Sequence, residues 1–243
     1  MHYRIALVTI NLNNCAGLQN TIASVAIQTL QPWAYVVIDG SSTDESVAVI
    51  KQHKSITHWV SEPDKGIYEA QNKGWQMVNA HYYLFLNSGD TLANPDSLAT
   101  LAGAIRNKKQ IIYGNLWVEQ PDGSLLEKIY PAKLPANYFD YESLPHPATL
   151  ISRHWLQQLG GYDDGLSICA DWKFFRAVFF CSRKSFTHVN KPVSNFAWGG
   201  LSSLLQMETI IQTEKSRIKA EQPAPKTLRH RLSSWLKKSV VYK

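Results

Sequence analysis

Residues 34–52 read A-Y-V-V-I-D-G-S-S-T-D-E-S-V-A-V-I-K-Q. Ala34–Ile38 is apolar at almost every position, the pattern of a strand covered on both faces, as in a parallel sheet between helices. Asp39-Gly40-Ser41-Ser42 then turns the chain, and Thr43 or Asp44 can cap a helix running to about Gln52. The same unit stands on either side. Arg4–Ile10 is a buried strand, followed by Asn11-Leu12-Asn13-Asn14 and a helical pattern with Leu18, Ile22, Val25 and Ala26 on one face. Ile56–Val60 is a weaker strand, Ile67–Val78 is helical, and Tyr82–Leu86 is another strand apolar on both faces. Strands alternating with helices at this spacing predict an α/β fold built on a mostly parallel central sheet flanked by helices. Asn11, Asp39, Glu62 and Asn87–Asp90, just past the strands, are expected at one sheet edge, where open α/β sheets bind ligands.

The second half is less regular. Ile111–Val118 and Leu125–Tyr130 flank Pro121-Asp122-Gly123, a hairpin signal. Ala148–Ser152 reads as a strand, Asp171–Cys181 as an apolar helix, Phe186–Phe196 as extended and Leu201–Lys219 as helical. Gln222-Pro223-Ala224-Pro225 punctuates the chain, so residues 1–220 are expected to form the domain and 221–243 a basic amphipathic tail. Within Thr227–Val241, the residues Leu228, Leu232, Trp235, Leu236 and Val240 share one helical face ringed by basic residues. That pattern fits a solvated or core-docked helix, and it fits a peripheral helix on an anionic membrane surface.

A chain of 243 residues, 44% hydrophobic and 18% charged, can bury the core of one α/β domain. The net charge of +6 suggests nucleic acid until it is located. Ile210–Lys243 holds nine Lys or Arg against Glu214 and Glu221, a local charge of +7, so the remaining residues carry about −1. A body so nearly neutral is no nucleic-acid surface. Cys15, Cys169 and Cys181 form no C-x-x-C pair, which argues against a zinc site or a disulfide framework. No window approaches the ~20 apolar residues that span a bilayer, and no secretory signal is visible. A cytoplasmic protein is expected, peripheral on the inner membrane face if the tail binds lipid. The 8 Trp and 11 Tyr suit sugar-stacking and large-residue cores equally.

Absent motifs narrow the chemistry. There is no G-x-G-x-x-G after the first strand, no phosphate-binding G-x-x-x-x-G-K-[ST], no G-x-S-x-G and no H-E-x-x-H. Carboxylates at strand and helix ends remain. Asp39 is a turn carboxylate or a hydrogen-bond acceptor for a nucleobase N–H or ribose hydroxyl. Asp90, closing the strand-to-turn run L-F-L-N-S-G-D, suits Mg²⁺ or Mn²⁺, which often takes only one or two protein oxygens; it could equally cap a helix near Pro95. Asp171 opens a helix as a cap or as a general base. His146, between two prolines, is rigidly placed, and lone histidines are more often structural than catalytic.

The order of these pieces adds what none supplies singly. V-T-I-N-L-N-N, I-D-G-S-S-T-D, S-E-P-D-K-G-I-Y-E-A-Q-N-K-G and F-L-N-S-G-D, then H-P-A-T-L-I, G-G-Y-D, A-D-W-K-F-F and F-A-W-G-G-L-S, resemble family 2 glycosyltransferases with the GT-A fold. The resemblance covers roughly residues 4–220 and is similar to the small enzymes of bacterial colanic acid and exopolysaccharide synthesis. It implies a nucleoside-diphosphate sugar donor (UDP or GDP), a saccharide or lipid-linked oligosaccharide acceptor, Mn²⁺ or Mg²⁺, and inversion at the anomeric carbon. It further implies that Thr9, Asn11 and Asp39 line the nucleoside pocket. Asp64, Lys65 and Gly66 would form the loop beside base and ribose, with Asn72, Lys73, Ser88 and Gly89 near the donor. Asp90 would be the metal ligand and Asp171 the base. His146, Trp198, Gly199, Gly200 and Ser202, with Leu201, would border the reacting sugars and diphosphate.

Two departures stand out. The family's D-x-D-D cluster is Asn87-Ser88-Gly89-Asp90 here, leaving one carboxylate, and the usual Glu-Asp at the base is Ala170-Asp171. The thinned cluster keeps open a non-catalytic saccharide- or nucleotide-binding relative. A nucleotidyltransferase would need a Gly-rich, basic loop after the first strand, which N-L-N-N-C-A-G is not.

Overall fold

Four parallel strands carry the amino-terminal half: β1 (Ile5–Asn11), β2 (Ala34–Asp39), β3 (His58–Ser61) and β4 (Tyr82–Phe85). The computed structural model describes residues 3–120, 122–196 and 207–222. β1, β2 and β4 are buried at every position, as their unbroken apolar runs require, while the less apolar β3 is the exposed edge. Helices α1 (Cys15–Ala26), α2 (Ser46–Gln52) and α3 (Ile67–Met77) connect them. Asn14 caps α1, its side chain accepting the Gly17 N–H at 3.1 Å, and Asp44 accepts the Ser46 N–H at the start of α2.

The strand order is β3-β2-β1-β4-β8 (Thr149–Ser152)-β6 (Ile111–Glu119)-β9 (Phe186–Phe196)-β5 (Thr91–Leu92), with β7 (Leu125–Lys128) paired to β6. From β1 the chain steps outward to β2 and β3, then returns to the other side of β1 as β4. Connections reverse direction between β1 and β4, so a crevice opens beyond their carboxyl ends. The second half then departs from parallel order. β8 (Thr149–Ser152) runs antiparallel to β4, and β6 (Ile111–Glu119) antiparallel to β8. The expected hairpin joins β6 to β7 (Leu125–Lys128). β9 (Phe186–Phe196) returns parallel to β6, with register shifts where Asn115 faces Pro192, which has no N–H to donate. β5 (Thr91–Leu92) adds antiparallel to β9.

The remaining helices are α4 (Ser97–Gly103), α5 (Arg153–Leu159), α6 (Ala170–Cys181) and α7 (Glu208–Glu221). α5 was not expected from the sequence: it follows β8 directly with no capping side chain to mark its start, and it ends at Gly160 in the left-handed conformation, φ 78°. α6 buries Trp172, Phe174, Phe175 and Phe179 together, which is why it reads as apolar nearly all round. The expected helix Leu201–Lys219 is seen as α7; its residues 201–206, like the tail 227–243, lie outside the described residues.

α3 lies unusually close to the sheet. A Cβ on Gly74 would come within 2.3 Å of Val8 Cγ1 and 3.3 Å of Ile38 Cγ1. Val8 is stiff at χ1 and wholly buried, so it has no room to yield. Gly74→Ala is therefore expected to destabilise by about 1–3 kcal/mol, although alanine is the better helix former. Urea unfolding followed by circular dichroism checks this, and an unchanged midpoint would contradict the close approach.

Candidate active site

The site begins with a row of side chains across three strand ends. Asn11, Asp39 and Ser61 are register partners on β1, β2 and β3. Asn11 Nδ2 donates to Asp39 Oδ1 at 2.9 Å, and Ser61 Oγ donates to Asp39 Oδ2 at 2.6 Å. Ser42 adds its hydroxyl to Oδ1 at 2.6 Å and its N–H to Oδ2 at 2.9 Å. Asp39 is fully buried. Burial alone would raise its pKa, but the hydrogen bonds from Ser42, Ser61 and Asn11 outweigh it and hold the carboxyl below its usual range.

The loops beyond β1 and β2 are interlocked from the same place. Asn13 donates its N–H to Ser42 Oγ, its side-chain oxygen takes the Thr43 N–H, and Cys15 N–H meets Asp44 Oδ2, all within 2.9 Å. Asn13 and Ser41 have φ of 49° and 64°, a left-handed conformation these closed rings hold in place.

On the other side of the crevice is the Asn87-Ser88-Gly89-Asp90 turn. Thr21 of α1 holds it: Gly89 N–H donates to Thr21 Oγ1 at 3.0 Å, and that hydroxyl donates to the Asp90 carbonyl at 2.7 Å. Gly89 has φ 104°, which a residue with a Cβ rarely adopts. Asn14 Nδ2 donates to the Ser88 carbonyl at 3.1 Å, and Gln71 of α3 donates to Asn87 Oδ1 at 3.0 Å. Asp90 is buried beside His146. Burial lowers the His146 pKa, with the Asp90 charge and the Phe85 carbonyl opposing, so the imidazole is neutral at pH 7.

Between these walls is a cavity of about 580 Å³, within the usual range for small-molecule sites. It brings together Asn11, Asp64, Gly66, Ser88, Gly89, Asp90, His146 and Asp171. Gly66, at φ 144° and ψ −178°, starts α3 in a conformation open essentially only to glycine. Burial raises the Asp64 pKa, against the Gly66 N–H and the Lys73 charge. At the far end Asp171 opens α6. Burial pushes its carboxyl up to about 6, with the Trp172 N–H, the Tyr68 hydroxyl and Lys215 pulling the other way.

Five expected site residues stand outside this lining. Thr9 is fully buried against the Tyr35 hydroxyl at 3.1 Å, and Asp39 is used up within the strand-end row. Lys65 contributes its N–H to Glu69 Oε2. Asn72 ties α3 to Tyr162, donating to its carbonyl and accepting its N–H. Lys73 is paired with Glu62 at 3.0 Å and Glu69 at 3.6 Å. Their side chains turn inward or along the surface because partners there satisfy them. Trp198, Gly199, Gly200 and Ser202 lie outside the described residues. Conversely, Asn14, Tyr68, Gln71 and Ile168 line the cavity without having been expected. Tyr68 and Gln71, three apart, share one face of α3, but a sequence period shows only that the face is buried, not what it faces.

Among the described residues no group of three or more His, Cys, Asp or Glu side chains could hold a metal ion by itself. One buried carboxylate, Asp90, at the cavity wall fits an ion that takes the rest of its ligands from a diphosphate and water.

The fold has known counterparts. S. aureus TarS (residues 1–349), in complex with UDP-GlcNAc, superposes with TM-score 0.69 at 13% identity, covering 96% of this chain and 71% of that one. A mannosyltransferase from Pyrobaculum calidifontis, in complex with GDP-Man and Mn²⁺, gives TM-score 0.67 at 13% identity, covering 98% and 69%. The architecture is thus the GT-A glycosyltransferase fold. Residues 6–165 match the profile of glycosyl transferase family 2, and the chain belongs to that family. An uncharacterised glycosyltransferase of Mycobacterium tuberculosis is 31% identical over 184 residues, 73% of this chain and 70% of its own. A PGL/p-HBAD biosynthesis glycosyltransferase of Mycobacterium bovis is 25% identical over 215 residues, 82% of this chain and 79% of its own.

The Asp171 environment has a consequence for stability. Folded, the carboxyl keeps its proton up to about pH 6, whereas unfolded it loses it near pH 4. Stability therefore falls as pH rises through that window. Asp171→Asn, with no charge to bury, is expected to melt higher than the unmodified protein at about pH 8 and to lose that advantage by about pH 4. Thermal melts of both proteins at the two pH values test this; an identical difference at both would show that no ionisation cost is stored at Asp171.

Proposed function

We propose that this glycosyltransferase moves a sugar from a nucleoside-diphosphate donor, UDP- or GDP-linked, onto a saccharide acceptor by direct displacement that inverts the anomeric carbon. The observation that carries the reading is the cavity itself, with the Asp90 carboxylate on a rigid turn at one wall and the half-buried Asp171 carboxylate, its pKa raised to about 6, at the other. The complexes of the two solved structures with UDP-GlcNAc and GDP-Man support the donor class.

Asn11, Asp64, Gly66, Ser88 and Gly89 would receive the nucleotide. Thr9 and Asp39 support it from below by fixing the strand ends, Lys65 and Lys73 by fixing the 64–66 loop and the start of α3, and Asn72 by tying α3 to the Tyr162 peptide. Asp171 accepts the proton of the acceptor hydroxyl as its oxygen attacks the anomeric carbon from the face opposite the leaving diphosphate. A base with a pKa near 6 is ionised at neutral pH yet still basic enough to take that proton. His146, neutral, would border the reacting sugar as a hydrogen-bonding group. Asp90 would hold Mn²⁺ or Mg²⁺, whose chemistry is to neutralise charge on the departing diphosphate; the Mn²⁺ of the Pyrobaculum structure supports this.

Trp198, Gly199, Gly200 and Ser202 are assigned to the acceptor and diphosphate side on sequence grounds. A lipid-linked acceptor in polysaccharide biosynthesis, met at the inner face of the membrane by a basic tail beyond the 1–220 domain, would explain the pattern of residues 227–243. No helix among the described residues is long and apolar enough to cross a membrane.

Asp171→Asn is expected to reduce kcat by at least about 10²-fold, since general base catalysis supplies ~10²–10⁴, with nucleotide affinity unchanged. The activity of the unmodified protein should decline below about pH 6 as Asp171 takes up its proton. A thermal-shift screen of UDP, GDP and their sugars with and without Mn²⁺ identifies the donor base: a ligand at 100 times its Kd adds ~2.7 kcal/mol. Asp90→Ala should remove the metal-dependent part of that stabilisation. Binding without donor-dependent product at any pH would overturn the enzymatic reading in favour of a saccharide- or nucleotide-binding protein.

A further inference from the structure

Tyr68 reaches Asp171 across a hundred residues of sequence. Its ring is buried under the first turn of α3, and its hydroxyl stands between two acceptors: the Ile168 carbonyl, which it contacts closely, and Asp171 Oδ1 at 3.3 Å. A phenol has one proton and cannot satisfy both acceptors at once. The Ile168 carbonyl cannot drift to relieve the competition, because its peptide is pinned from the opposite side. Glu214 of α7 takes the N–H groups of Ser167, Ile168 and Cys169 at 2.6, 3.1 and 2.9 Å. Asp171 Oδ1 is also held, accepting the Trp172 N–H at 2.7 Å.

We propose that Tyr68 is the positioning residue of Asp171, its hydroxyl donating a hydrogen bond to the carboxylate when Asp171 is charged and to the Ile168 carbonyl when Asp171 is protonated. In the second state the new carboxylic O–H donates back to the Tyr68 oxygen, so a hydrogen bond joins Tyr68 and Asp171 in both protonation states. The proton that Asp171 takes from the acceptor hydroxyl is thereby accommodated by rotation of one O–H bond, with no movement of backbone or ring. This inference rests on the reading of Asp171 as the base, and it explains how a half-buried carboxyl can both lose and regain a proton in each turnover.

The other titratable groups facing Asp171 are Tyr130, Tyr162 and Cys169, with Lys215 from α7. Tyr162 supplies a control. It packs against Tyr68 at 5.5 Å between ring centroids, and its buried hydroxyl makes no hydrogen bond among the described residues.

The test is carboxyl ¹³C NMR of the full chain labelled at aspartate, with the Asp171 signal assigned by its loss in Asp171→Asn. Tyr68→Phe is expected to raise the Asp171 midpoint by about one pH unit, because a hydrogen bond to the charged form is lost, while Tyr162→Phe leaves it in place. The acidic limb of kcat should move by the same amount, with nucleotide affinity nearly unchanged; a purely structural Tyr68 would leave the limb fixed. Difluorotyrosine placed at position 68, a stronger donor of the same shape, should move the midpoint downward and serves if Tyr68→Phe does not fold. An Asp171 midpoint that stays in place in either variant overturns the proposal. Full turnover by Asp171→Asn would instead remove the base reading, while the NMR midpoints still report on the Tyr68 contact.

Discussion

The buried carboxylate of Asp39 ties together the ends of three parallel strands, and the ligand edge of the sheet depends on it. Parallel strands end with backbone groups that the next strand does not pair, and a loop over such an edge is normally free to move. Here Asp39 accepts from Asn11, Ser42 and Ser61, and Ser42 in turn accepts the Asn13 N–H. The loops after β1 and β2 are thus fixed relative to each other before any ligand arrives. Such preorganisation lowers the ordering cost of binding.

α3 performs the corresponding task from the other side. Its approach to the sheet is set by Gly74 against Val8, and everything along it follows from that height. Gln71 meets Asn87 on the turn that carries Asp90, Asn72 holds the Tyr162 peptide, and Tyr68 reaches Asp171. One helix therefore sets the distance between the two carboxylates on which the proposed chemistry rests. A shift of the helix by the width of a methyl group would be felt at both.

Asp171 shows a cost accepted at a working site. Its half-buried carboxyl stands among Tyr68, Tyr130 and Tyr162, where ionisation is disfavoured. The same residue placed in water would be a weaker base and a more stable part of the fold. Glu214 differs in kind: its carboxylate spans three consecutive N–H groups, which anchors α7 to the chain that leads into α6.

The sequence by itself determined the parallel half of the sheet. Its strands are so evenly apolar, and their turns so polar, that β1, β2 and β4 have no other reading; it also placed Asn11, Asp39 and Asp90 at the right edge. The hairpin of β6 and β7 was legible from the Pro121-Asp122-Gly123 turn between two strand-like runs, and β9 as an extended run. Tertiary structure alone decided the antiparallel insertion of β8 and β6, because a short apolar strand does not encode its neighbour. It also decided which edge residues face the cavity. Thr9, Asp39 and Lys73 find partners away from it, whereas Tyr68 and Gln71 face into it. A side chain's type reveals what it can bond, but the partner that satisfies it is brought near only by packing between elements far apart in the chain.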